Sequence, residues 1–154
     1  MGTFSFTATA TDKAGNTQTM TGSYAVRYRF DGFLQPINDT GHVTTCGTSC
    51  VVSVFKGGST VPVKFQLKDA AGNIIQANAA PVWLGPAKGN ATTAPIDEAT
   101  FADPIDTTST FRWDATDQQY HFNWGTPKTG AGFYWKIGVD LDDGSRYTVD
   151  VGLR

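Results

Sequence analysis

The sequence predicts an all-β protein, a β-sandwich with Greek-key connections that carries an additional β-hairpin at its N-terminal end. Three observations lead there. Apolar residues recur at every second position in run after run, short turns rich in Asp, Gly and Asn divide the runs, and no stretch of useful length repeats apolar residues at the helical period.

The first run places Phe4, Phe6, Ala8 and Ala10 on one face and Ser5, Thr7 and Thr9 on the other. After "DKAGN" the alternation resumes through Met20, Tyr24, Val26, Tyr28 and Phe30. This is a hairpin: Asp12 accepts hydrogen bonds from turn amides, and Gly15 or Asn16 takes the positive φ of a tight turn. A two-stranded hairpin is marginal in water, so its aromatic face is expected to lie on another sheet.

Further along, Val61, Val63, Phe65 and Leu67 oppose Pro62, Lys64, Gln66 and Lys68, and Ile74 and Ile75 open a return strand after "DAAGN". Phe111 and Trp113, then Tyr120, Phe122 and Trp124, mark two more strands. Phe133, Trp135, Ile137, Val139 and Leu141 give another, and after "DDGS" the last runs through Tyr147, Val149, Val151 and Leu153. Residues 85 to 109, with Pro86, Pro95 and Pro104, break the pattern; they predict a long irregular crossover, with room for a helical turn in "IDEATFAD".

Composition narrows the class of protein. Of 154 residues, 40% are hydrophobic and only 17% charged, so the surface rests on Thr, Ser, Asn and Gln, as secreted proteins often do. A net charge of −2 and the lack of any Lys or Arg run argue against nucleic acid or a polybasic membrane patch as partner. No apolar stretch approaches the roughly 20 residues of a membrane span. "MGTFSF" begins in mid-strand pattern, so the chain reads as a piece of a longer one whose export signal would lie upstream.

Candidate sites are few. Cys46 and Cys50, with His42 before them, are expected to form a small-loop disulfide worth about 2 kcal/mol rather than a metal site, since zinc would want a fourth ligand and the other histidine, His121, sits on a distant strand. The disulfide would place the protein in an oxidising compartment. No Gly-x-Ser-x-Gly or other nucleophile motif occurs, so an enzyme is not expected. Asp97, Glu98, Asp103, Asp142 and Asp143 are weak calcium candidates, because Asp in turns usually bonds its own backbone. No other cofactor is implied. Trp83, Tyr134, Trp113 and Trp124 are the candidates for a sugar-stacking platform, with Trp83, in "APVWLGP", expected to be the most exposed. Trp135 belongs in the core. Lys64 is read as a surface residue rather than one partner of an isopeptide bond. The two Asp-x-Ala-Gly-Asn segments each offer one carboxylate with no second acid nearby, and are read as turns, not a ligand repeat.

Several motifs in order also carry a resemblance. "FDGFLQPIN", "GGSTVPVKFQL", "TDQQYHFNWGTP" and "GFYWKIGVDLDDGSRYTVDVGLR" together resemble the PxKF-type domain at the C-terminal end of secreted or surface multidomain bacterial proteins, over residues 29 to 154. Residues 1 to 28 resemble the last two strands of a bacterial Ig-like repeat. The resemblance implies a place, at the end of a secreted or surface multidomain protein, and not a mechanism; the chain is read as an Ig-like sandwich and an extracellular, non-catalytic accessory module that attaches to a surface, a polysaccharide or another cell-envelope component. The alternative is a structural cap or spacer of an Ig-like array. Neighbouring Ig-like domains would be its partners in the parent chain. The uncovered hairpin edge adds a weak tendency to homodimerise.

Overall fold

A computed structural model describes residues 1–37 and 52–154 of the chain. Among the described residues there are eleven strands, one short 3-10 turn and no α-helix. In chain order the strands are β1 (Gly2–Thr11), β2 (Thr17–Val26), β3 (Arg29–Phe33), β4 (Val54–Phe55), β5 (Thr60–Lys68), β6 (Ile74–Ile75), β7 (Val82–Ala91), β8 (Arg112–Asp114), β9 (Gln119–Gly125), β10 (Phe133–Asp140) and β11 (Arg146–Leu153).

Two of the sheets make the expected sandwich. One has the order β4-β11-β10-β7, the other β3-β5-β9-β8 with β6 on β5, and every pairing is antiparallel except β4 with β11. The chain crosses repeatedly between the two layers, as the sequence predicts. Val61, Val63, Phe65 and Leu67 of β5 are wholly buried, and they meet Ile137, Val139, Val151 and Leu153 from the facing sheet. Each such side chain contributes about 1.5–3 kcal/mol by leaving water, so the alternation read in the sequence is the core.

Three hairpins share one turn geometry. In Asp12–Asn16, Asp69–Asn73 and Leu141–Ser145 the first N–H donates to the last carbonyl, and Gly15, Gly72 or Gly144 returns its N–H to the first carbonyl. These glycines stand at φ of 88°, 89° and 81°, the left-handed step that closes a three-residue hairpin loop. In the first two, the Asp carboxylate accepts from the amides two and four residues on and from the Asn side chain, all at 2.8–2.9 Å. Both carboxyls are held below their ordinary pKa, chiefly by that Asn side chain. The repeated motif is therefore a turn device.

Three expectations need correction. Residues 85 to 91 are not irregular: they belong to β7, an edge strand whose register on β10 slips twice. Such an edge tolerates Pro86, which has no N–H to give, and its outer side faces solvent, so the period-two signal fades. Residues 96 to 103 form no helical turn. The hairpin β1–β2 also differs, because it is a separate two-stranded sheet and its apolar face is not covered. Only beyond it does the chain enter the sandwich: Tyr28 is buried, its N–H donates to Asp143 at 2.7 Å, and Arg27 reaches Ser145.

Candidate functional site

The proposed stacking residues do not form a platform. Trp83 lies on the inner side of β7, half-buried, its ring stacked on Phe122 at 4.5 Å and 13°, with Phe111 at 5.9 Å and Trp124 at 6.3 Å. Its expected exposure is corrected: β7 pairs with β10 so that Trp83 opposes the buried Val139, and both side chains face the opposite sheet. Trp124 is buried and leads on to Trp135 at 6.4 Å. Trp113 is half-buried, edge-on to Tyr120 at 5.0 Å. Tyr134 is half-buried on the outward side of β10, opposite Gly152 and remote in register from the other three. Three of the four candidates are thus part of one aromatic seam that joins the sheets, and the flat ring faces a sugar would need are spent on other rings.

Three of the five acidic candidates have their carboxylates engaged by backbone amides. Asp143 is buried and accepts from the Tyr28 and Ser145 amides at 2.7 and 2.8 Å, which ties the end of the hairpin to the β10–β11 turn. Asp142 accepts from Ala79 N–H and Asp97 from Val54 N–H, each at 2.7 Å. Glu98 donates its own N–H to the Val54 carbonyl. Asp103 is exposed, and its carbonyl accepts from the Thr60 hydroxyl. Among the described residues no three His, Cys, Asp or Glu side chains converge to hold a metal ion. Cys46, Cys50 and His42 lie outside the described residues.

Two features escaped the sequence reading. On the outer face of the five-stranded sheet, Lys64, His121 and Arg112 stand in one cross-strand row, with Asp106 bridging Arg112 and the Asn123 amide. Burial, then the Arg112 charge, then that of Lys64, holds the His121 imidazole below its ordinary pKa, while the Asn123 side chain and Asp106 act the other way. The other feature is an open groove of about 640 Å³ between the β4–β5 turn and residues 100–105, with Lys56, Lys128, Phe101 and Ile105 on its walls. The Lys128 stem lies across Gly58, where a Cβ would meet its Cγ at 2.5 Å. Only long-range packing brings these segments together, so no local pattern could have announced the groove.

No family model, no curated protein and no solved structure matches this chain. Among the described residues no helix is long and apolar enough to cross a membrane.

Proposed function

We propose that the chain is a non-catalytic, extracellular structural module of a secreted bacterial protein, a cap or spacer that packs against a neighbouring Ig-like domain. The observation that carries this is the hairpin. It turns Phe4, Phe6, Met20, Tyr24 and Val26 to solvent, yet it is anchored to the sandwich through Tyr28 and Asp143. A sheet with one apolar side needs a second layer, and the resemblance of residues 1 to 28 to the end of an Ig-like repeat supplies the kind of domain that would provide it. The test is amide hydrogen exchange on this chain alone and on the same chain joined behind an Ig-like domain in a longer protein. The β1 and β2 amides exchange more slowly in the longer protein; equal rates in both would overturn the reading.

Attachment to a polysaccharide or envelope component is the second reading, and one observation favours it. The 640 Å³ groove is of ligand size, and it pairs two lysines with the exposed Ile105, 59% accessible. The engagement of Trp83, Trp113 and Trp124 in the aromatic seam weighs against it.

A further inference from the structure

The hairpin's apolar face has a second consequence, which concerns this chain by itself, where no neighbouring domain covers that face. We infer that two copies of the chain associate face to face through that surface, forming a small two-layer sheet about a twofold axis.

The face is flat. Phe4 and Tyr24, paired across the strands, stack at 5.6 Å with 25° between their planes. Phe6 opposes Gly22 and lies down over it, where a Cβ would come within 2.6 Å of the ring. Glycine at 22 thus lets an aromatic ring cover the strand instead of standing out from it. A low apolar surface of this kind suits another sheet at about 10 Å. Six of the nine exposed large hydrophobics among the described residues lie in residues 1 to 26, so the demand for cover is concentrated here.

Nothing in the hairpin opposes a copy of itself. The two ten-residue strands hold no charged side chain and pair through ten registers without a bulge. The two faces are identical, so a twofold axis presents each to its like. The reverse side is a ladder of Thr and Ser: Ser5 opposite Ser23, Thr7 opposite Thr21, Thr9 opposite Thr19. That ladder favours water, which leaves the apolar side as the interface.

The area sets the strength. Phe4, Phe6, Met20, Tyr24 and Val26 are 45%, 51%, 66%, 52% and 39% accessible. At about 150–250 Å² for a large side chain, they offer on the order of 400–500 Å² per copy. A stable interface takes about 800 Å² from each partner, so the dimer is weak, with a dissociation constant on the order of 0.1–1 mM.

Sedimentation velocity of the full chain from 10 µM to 1 mM is the test, using those concentrations as roughly bracketing that range. The weight-average mass of the wild type rises toward that of a dimer. Phe4→Thr/Phe6→Thr/Tyr24→Thr, which keeps strand-forming residues, stays monomeric; Met20→Lys, which keeps the three rings, dissociates about tenfold more readily or worse. Ser5→Lys/Thr7→Lys, on the polar side, associates as the wild type does. Thermal unfolding of the sandwich, unchanged in all variants, shows that each is folded. A wild type that is monomeric throughout overturns the inference, as does an association that survives the triple substitution. Loss in the polar-side variant as well would mean pairing through strand edges, and would also overturn it.

Discussion

Replacing Trp83 with alanine separates a structural tryptophan from a ligand-binding one. The ring contacts Phe122 in a stack and Phe111 and Trp124 at an angle, and it spans the gap between the two sheets. Truncating a core aromatic to alanine costs about 3–5 kcal/mol. Because Trp83 is half-buried and sits on an edge strand, about 2–4 kcal/mol is expected here, of which the stack on Phe122 supplies about 0.5–1.5 kcal/mol. In a domain of this length that lowers Tm by roughly 5–12 °C. Trp83→Phe keeps a ring against Phe122 and costs less than about 1.5 kcal/mol. Urea unfolding followed by circular dichroism reads both variants, with the midpoint moving and the slope preserved. A Trp83→Ala protein within about 0.5 kcal/mol of the wild type would refute the reasoning, since such a residue contributes little to the core.

Three further outcomes are expected. Asp143→Ala leaves the Tyr28 and Ser145 amides without their acceptor and destabilises by about 2–4 kcal/mol, whereas Asp143→Asn keeps one oxygen and loses less; chemical denaturation of the pair measures the difference. Gly138→Ala drives a Cβ into the Tyr147 carbonyl and toward Thr148 and Leu84, costing about 1–3 kcal/mol, and a variant as stable as the wild type would mean the β10–β11 spacing is wrong. His121 gives a pH dependence. Its folded pKa lies below the ordinary 6.5, so the unfolded chain takes up more protons as pH falls. Stability is full above about pH 6.5 and declines as pH drops toward the folded value. His121→Gln lacks that decline, which urea midpoints between about pH 8 and 5 would reveal as a difference between the two proteins.

Where one face of a strand is buried and the other wet, the fold was legible in the sequence. β5, β9, β10 and β11 have this form, and most of their apolar positions are the core, with Phe133, Trp135 and Tyr147 half-buried at its margin. The turn chemistry was equally legible, because Asp, Gly and Asn act within five residues of one another. β7 was missed because an edge strand with Gly85, Pro86 and Gly89 has little need of alternation. Trp83 was misplaced for the same reason: without the strand, nothing showed that it faces inward. Period alone says which side of a hairpin is apolar and not what covers it, so the exposure of Phe4 and Phe6 could not be foreseen. Asp142 and Asp143 read as turn acids and weak calcium candidates, yet their partners Ala79 and Tyr28 are 63 and 115 residues away. Contacts at that separation are set by topology, and no local spacing encodes them.

Retention on insoluble polysaccharide tests most directly the claim that this is a structural module. The full chain is mixed with cellulose, chitin, xylan and peptidoglycan in turn, and the bound fraction is weighed against a protein of the same size that binds none. The account predicts that the chain stays in the supernatant with all four. Saturable retention on any one of them, abolished when Lys56 and Lys128 at the groove are replaced by glutamate, would contradict it and make the groove a binding site.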